Sequence, residues 1–158
     1  MDYNNLHSNA FSFSLHRLPD TTFRVVELTL PGISITPVNS GYPSGSQYFP
    51  GSAVEFEPLQ VTFVVDENLK NYQEIYRWIT QQRYNEQVYT PTSPEETFLV
   101  SDGTVITMTN ASNPNRVFSF KDLFPIDLGP IQFNTRDSTP EIVTCTVTFR
   151  FAYFTLEY

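Results

Sequence analysis

The sequence predicts a mainly β fold: two packed antiparallel sheets, as a sandwich or partial barrel, with one flanking α-helix and a long ordered loop. Valine, isoleucine, threonine and the aromatic residues are strand formers, and they make up 63 of the 158 residues. Several segments alternate apolar and polar residues, whereas only one has helical spacing. We expect a single domain over residues 1–158, because a chain of this length buries roughly 70% of its unfolded surface in one core, with residues 1–21 as an N-terminal extension.

The first predicted strand covers residues 22–36. Its alternation places Val26, Leu28 and Leu30 on one face. The Pro-Gly pair at 31–32 interrupts the strand, since proline removes a hydrogen-bond donor. A bend or an exit from the sheet is expected there.

Residues 37–52 are rich in proline, glycine and serine, and they predict a long loop. Loops of this length in compact domains are usually functional or disordered. Exposed aromatic residues are common anchors in protein interfaces. We therefore predict that Tyr42, Tyr48, Phe49 and Pro50 contact a neighbouring chain.

A second strand is predicted over residues 53–66. Its apolar face consists of Leu59, Val61, Phe63 and Val65. Glu55 and Glu57 begin this segment, and an acid/base catalytic pair there is much less favoured than ordinary surface carboxylates.

The one helical pattern follows, with Asp66 as its expected N-cap. The apolar stripe at helical spacing consists of Leu69, Tyr72, Ile75, Tyr76 and Ile79. Trp78 lies beside this stripe and is expected at the edge of the core. The opposite face carries Lys70, Glu74, Arg77 and Gln81, which are expected to face water or a charged neighbour.

Residues 82–96 are polar, contain two prolines, and predict another loop. Strands are expected at 103–110 and 116–120. The cluster of asparagine, serine and proline at 110–115 favours a turn that joins them into a hairpin.

Toward the C-terminus, residues 124–130 predict a connector and residues 131–134 a short strand. The last segment, 141–158, predicts one long strand. Its apolar face consists of Val143, Cys145, Val147, Phe149, Phe151 and Tyr153, and its polar face of Thr144, Thr146, Thr148 and Arg150.

The chain carries a formal net charge of −8, which argues against a surface that grips nucleic acid or anionic lipid. His7 and His16 lack metal-ligand spacing, and the only cysteine, Cys145, lies mid-strand on an apolar face. Phosphate-binding glycine loops and nucleophile motifs are absent from the sequence. We therefore expect no catalysis, cofactor or metal. The chain has no secretion signal and no bilayer-length apolar run, so synthesis in a cytoplasm without membrane insertion is expected.

Three motifs occur in a defined order. They are FPGSAVEFEPLQVTF at 49–63, DENLKNYQEIYRWI at 66–79, and the corner LFP at 123–125 followed by the long alternating segment. Because it contains these motifs in this order, the chain resembles the tail tube proteins of contractile-tailed bacteriophages.

The resemblance implies a ring-forming tail tube fold with six subunits per ring, rings stacked into a tube, and four strands per subunit in a shared barrel. DNA would pass through the lumen without specific binding, and the protein would reside in the virion tail. Implied partners are the sheath protein, the baseplate tube initiator, the tail terminator and the tape measure protein. The helix face defined above would meet the sheath. Candidates for the lumen wall are Glu27, Glu55, Glu57, Thr144, Thr146 and Thr148.

Other interpretations stay open. A baseplate tube initiator or a tube terminator shares the fold but stops after one or two rings, and the short chain favours the repeating tube over both. The inner tube of a type VI secretion system or of a phage-like injection machine is a further alternative. Outside this resemblance, a β-sandwich binding module could use the loop aromatics for a carbohydrate or a protein.

Overall fold

The computed structural model describes residues 4–18, 25–43, 45–84, 100–136, 139 and 141–157. Side chains of Tyr42, Arg83 and Tyr84 are outside this description. The elements are β1 (Phe11–Leu15), β2 (Val25–Thr29), β3 (Ile33–Ile35), β4 (Val38–Tyr42), β5 (Gly45–Phe49), β6 (Val54–Phe56), β7 (Leu59–Val64), α1 (Lys70–Tyr84), β8 (Ser101–Met108), β9 (Pro114–Leu128), β10 (Thr144–Arg150) and β11 (Tyr153–Glu157).

Two antiparallel sheets share one strand. Sheet A has the order β1-β8-β9-β11, and sheet B has the order β9-β10-β7-β2. The first half of β9 pairs in sheet A and its second half in sheet B. Between the halves, Asp122 has a φ of 55°, a conformation that aspartate tolerates better than most residues. The predicted class of two antiparallel sheets with one helix is confirmed.

The core lies between the two sheets and the helix. Sheet B contributes Leu59, Val61, Phe63, Cys145, Val147 and Phe149, and sheet A contributes Phe13, Leu15, Val105, Phe120 and Leu123. Trp78 of α1 is 1% exposed, so the indole is fully buried and not at the core edge as predicted. Its ring centroid lies 6.1 Å from that of Phe149. Phe13 and Leu15 of β1, which belong to the segment predicted as an N-terminal extension, also lie in this core.

The predicted helix is present, but its start and its buried stripe differ from the prediction. The helix begins at Lys70, so Asp66 is not its N-cap. Instead Asn71, which is fully buried, accepts hydrogen bonds from the backbone N–H groups of Asp66 and Tyr72 and donates to the carbonyl of Val64. One amide side chain thus joins the end of β7 to the helix.

The helix buries Asn71, Ile75 and Trp78. The predicted stripe is wrong at its edges, because Leu69 is 41% and Tyr76 is 56% exposed. The polar Asn71 is part of the buried stripe instead of these two residues. It can be buried because its amide group is hydrogen-bonded.

The segment predicted as one strand over residues 22–36 is two strands in two different sheets. β2 lies in sheet B, the chain leaves the sheet at the Pro-Gly pair, and β3 pairs with β6. A bulge between Val25 and Glu27 shifts the alternation, so Val25 and Leu28 pack on the core while Val26 is 57% exposed. The predicted exit is confirmed, and the predicted inward position of Val26 is wrong.

Residues 37–52, predicted as a loop, contain a β-ribbon instead. β4 and β5 pair over their full length, from Val38 opposite Phe49 to Tyr42 opposite Gly45. The sequence signal for this ribbon is weak because both faces are exposed, so no apolar alternation marks it. The strand predicted over 53–66 is likewise divided into β6 and β7.

The C-terminal half differs from the prediction in three places. The predicted hairpin is confirmed as β8 and β9, but residues 124–128 continue β9 and form no connector. Residues 131–134 form no strand. The long final strand is broken after Arg150, and beyond the break Phe154 instead of Tyr153 packs on the core. Most of the loop predicted at 82–96 lies outside the described residues, and its first residues extend α1.

Candidate assembly surfaces

A β-hairpin arm projects from the two-sheet body. We define the arm as residues 33–56, with the β3–β6 pair as its proximal ribbon and the β4–β5 pair as its distal ribbon. At the junction Gly51 is required, because a Cβ there would collide with the carbonyl oxygen of Thr36. The described side chains of the distal ribbon are exposed, apart from the half-buried Ser40. Residues 28–54 contain no charged residue and no histidine.

The base of the arm is attached to the body by aromatic and polar contacts. The Phe56 ring lies 5.6 Å from the ring of Phe151 and 5.4 Å from that of Phe154. The guanidinium of Arg150 donates a hydrogen bond of 3.0 Å to the carbonyl of Phe56. The backbone N–H of Glu57 donates to the carbonyl of Gly32. These contacts fix the direction in which the arm leaves the body.

The predicted inter-subunit residues lie on the arm. Tyr48 is 67% and Phe49 is 45% exposed, and Pro50 follows them at the junction. The side chain of Tyr42 lies outside the described residues. Sequence reasoning missed three further exposed apolar residues on the proximal ribbon, namely Ile33, Ile35 and Val54. The long charge-free run of sequence was the signal that could have identified them.

The face of sheet B that points away from the core is mostly polar, with Val64 as an apolar exception, and we call it the threonine face. Register aligns Glu27, Thr62 and Thr146 in one row across the strands. A second row consists of Thr29, Gln60, Thr148 and Asp127. The hydroxyl oxygens of Thr62 and Thr146 lie 2.9 Å apart in a hydrogen bond.

Four of the six predicted lumen residues share this threonine face: Glu27, Thr144, Thr146 and Thr148. The other two do not, because Glu55 is on the proximal ribbon and Glu57 is at the arm base. Asp127 was missed, since it lies in the segment predicted as a connector. The two rows carry carboxylates and no lysine or arginine, while Arg150 follows Thr148 on the same face of β10 and donates to the carbonyl of Phe56.

The predicted outer face of the helix is mostly exposed. Lys70, Arg77 and Gln81 are exposed and Glu74 is half-buried. Gln81 accepts a hydrogen bond of 3.0 Å from the guanidinium of Arg17, whose carbon lies 5.0 Å from the Trp78 ring centroid. The N-terminal segment is therefore attached to the helix.

Groups with catalytic potential are few in the described residues. Cys145 is buried, burial raises the pKa of its thiol, and its Sγ lies 3.2 Å from the carbonyl oxygen of Gly129. A reactive thiolate needs the opposite shift. The described residues contain no cluster of three or more histidine, cysteine, aspartate or glutamate side chains that could hold a metal ion. The same part of the chain has no helix that is long and apolar enough to cross a membrane.

The surfaces that stand out among the described residues are thus an arm and a sheet face. The tail tube terminator protein of Enterobacteria phage T4 is 30% identical over 144 residues, which cover 86% of this chain and 78% of that protein. The cryo-EM structure of the anti-feeding prophage tube-terminating cap contains a chain that is 14% identical, with a TM-score of 0.66 over 99% of this chain and 93% of that one.

A chain of the extended PVC sheath-tube complex is 15% identical, with a TM-score of 0.64 over 97% of this chain and 91% of that one. At such low identity these two structures show a shared fold. A family model described as phage tail tube protein matches residues 4–157. The resemblance seen in the sequence is therefore confirmed, and the chain belongs to the phage tail tube protein family.

Proposed function

We propose that this chain is a virion structural protein that forms a ring at the end of the tail tube of a contractile-tailed phage, as a tube terminator. The observation that carries the proposal is the 30% identity to the phage T4 tail tube terminator over most of both chains. It favours the terminator over the repeating tube subunit that the short chain length favoured.

The strand order of sheet B supports ring closure through this sheet. The four strands β9, β10, β7 and β2 alternate in direction, so the two outer strands run in opposite directions. When identical copies are arranged around a rotation axis, β2 of one copy meets β9 of the next in antiparallel orientation. Within the described residues both are sheet edges, and they expose Val26 and Ile126. Pairing would remove edges that otherwise invite aggregation.

Six copies would give a barrel of 24 strands. At a strand spacing of about 4.8 Å and a tilt of about 40°, the backbone diameter is roughly 48 Å, which is wide enough for duplex DNA. In our proposal the threonine face lines this passage. The hydroxyls and carboxylates of the two rows offer phosphates no cationic contact, and Arg150 at the edge of this face is engaged by the carbonyl of Phe56, so DNA would slide during ejection instead of binding.

The remaining elements of the proposal are partners and place. The ring would cap a stack of tube rings, with the sheath protein outside it, a tube initiator at the baseplate and the tape measure protein inside the growing tube. The exposed face of α1 would point toward the sheath. The protein would have no enzymatic role and would reside in the phage tail after synthesis in the host cytoplasm.

Negative-stain electron microscopy of the purified protein over a range of concentrations tests this proposal. A terminator is expected to form single or paired rings that do not lengthen as concentration rises. Tubes that grow with concentration would instead identify a repeating subunit, and monomers at all concentrations would contradict ring formation.

The same preparation tests the passage. Glu27→Lys combined with Asp127→Lys should leave rings intact and make them retain duplex DNA in a gel-shift assay, whereas wild-type rings do not retain it. Lys70→Glu on the outer helix face is the control and should not change retention. Equal DNA retention by wild-type and lysine-substituted rings would contradict the assignment of this face to the lumen.

A further inference from the structure

The described part of the threonine face carries one cation, Arg150, at the end of sheet B from which the arm leaves. Six exposed arginines at one mouth of the passage would hold DNA there, because guanidinium groups bind phosphates strongly. Resting on the proposed ring and passage, we propose that Glu55 of the proximal ribbon and Glu57 of the arm base neutralise Arg150. They thereby keep this mouth free of bound DNA.

The orientation of Arg150 follows from its strand and from one hydrogen bond. Alternation along β10 places Thr144, Thr146, Thr148 and Arg150 on the outward face, and Arg150 is exposed. Its guanidinium donates a hydrogen bond of 3.0 Å to the carbonyl of Phe56. A carbonyl carries no net charge, so this bond orients the guanidinium without cancelling its positive charge. That charge needs carboxylates nearby.

Two carboxylates share a surface hollow with the guanidinium. The hollow has a volume of about 580 Å³ and is lined by Arg150, Glu55 and Glu57, together with uncharged residues. A hollow of this volume is about 10 Å across, which is close to the Debye length at physiological ionic strength. Salt therefore screens the interactions between its charges only in part. With two negative charges and one positive charge in its lining, the hollow repels phosphates.

Backbone contacts at the arm base fix the position of Glu57. The N–H of Gly32 donates a hydrogen bond of 3.3 Å to Oε2 of Glu57, and the N–H of Glu57 donates one of 3.0 Å to the carbonyl of Gly32. A Cβ at residue 32 would lie 2.8 Å from the same Oε2, so glycine leaves room for the carboxylate. Glu55 lies opposite Ser34 in the proximal ribbon. Both carboxylates are therefore carried by the segment that also accepts the hydrogen bond of Arg150.

Retention of duplex DNA by assembled rings tests the neutralisation. Glu55→Gln combined with Glu57→Gln preserves side-chain size and an acceptor oxygen for Gly32, and it removes two negative charges from each chain. Rings of this variant should retain about tenfold more DNA than wild-type rings in a low-salt gel-shift assay, and the gain should fall steeply as salt rises. Addition of Arg150→Gln should abolish the gain.

Glu67→Gln combined with Glu157→Gln is the matched control. It removes the same charge from two exposed residues outside the threonine face and should not raise retention. An equal gain in this control, a gain that survives Arg150→Gln, or no gain in intact rings would overturn the proposal.

Negative-stain images establish that each variant forms rings. The described contacts of the arm base are aromatic contacts and hydrogen bonds, so glutamine at 55 and 57 should leave the arm attached. If Arg150→Gln prevents ring formation, Arg150→Lys takes its place in the variant that lacks both carboxylates. Retention should then persist because the positive charge is kept, and its loss would contradict the role assigned to that charge.

The experiment separates this proposal from the proposed function. DNA retention by the Glu27→Lys and Asp127→Lys rings, without a gain from Glu55→Gln and Glu57→Gln, would refute the neutralisation and leave the passage intact. Absence of rings from the wild-type chain would refute the ring itself and this proposal with it.

Discussion

Sheet B and the arm are both built from antiparallel strands, yet they obtain their stability in different ways. In sheet B the central strands bury one face completely, with Val61, Phe63 and Val147 at 0% exposure, and the other face is mostly polar. In the arm both faces are exposed, and within the described part of the chain little covers the apolar side chains of the two ribbons. The body thus folds on its own contacts, whereas the arm leaves apolar side chains exposed, and we propose that contacts between chains cover them.

The comparison separates stability from assembly. Substitutions in sheet B and its helix should change the free energy of unfolding of the isolated chain. Substitutions on the arm should leave that free energy nearly unchanged and weaken ring formation. The following predictions test this separation.

The largest effect is expected from Phe149→Ala. The Phe149 ring is fully buried and contacts Trp78 and Phe13, with ring centroids 6.1 and 6.5 Å away. Its removal should cost about 3–5 kcal/mol because it leaves a cavity in the core. Denaturant unfolding measures this loss. Tyr48→Ala on the arm is the control, and its free energy of unfolding should stay within about 0.5 kcal/mol of wild type. Comparable losses for both variants would refute the separation of stability from assembly.

A smaller loss is expected from Asn71→Ala. The buried amide of Asn71 makes three hydrogen bonds between the end of β7 and the start of the helix. Its loss leaves buried backbone groups without partners, which should cost about 1–3 kcal/mol. Thermal unfolding followed by circular dichroism measures the change, with the exposed Gln73→Ala as control. An unchanged melting temperature for Asn71→Ala would show that the junction does not depend on this side chain.

The smallest effect concerns an ion pair at the bend of β9. The hydrogen bond from Lys121, reinforced by its charge, lowers the pKa of Asp102. A lowered carboxyl pKa contributes stability that is complete above the ordinary value and is lost as pH falls below it. Both side chains are partly exposed, so water weakens the pair.

Asp102→Asn should therefore be slightly less stable than wild type near neutral pH. The difference between the two proteins should shrink as the pH falls below about 4, the ordinary carboxyl pKa, and disappear once the pH is below the lowered pKa of Asp102. Melting temperatures measured in parallel across this pH range check the prediction. A difference that persists in acid would show that the pair acts through packing and not through charge.

The sequence predicted those parts of the fold in which local pattern and burial coincide. β7 is an example, because alternation placed Leu59, Val61 and Phe63 inward and all three are buried. Val26 was misplaced because the bulge in β2 depends on its pairing with β7. The sequence predicts Pro125 in a connector, but the second half of β9 is a sheet edge in the described residues, where proline is tolerated.

The candidate surfaces were predicted only where residues close together in the sequence mark them. Exposed aromatic residues on a proline-rich segment pointed to the arm, although the segment was expected to be a loop. Which carboxylates share a face depends on register between strands distant in sequence. The sequence alone therefore grouped Glu55 with Glu27, while the structure separates them.

The shared strand β9 has a mechanical consequence. Its backbone runs without interruption from sheet A, through the bend at Asp122, into sheet B. A pull on one layer is therefore transmitted to the other along covalent bonds, and the layers cannot slide past each other without breaking both sets of strand pairs.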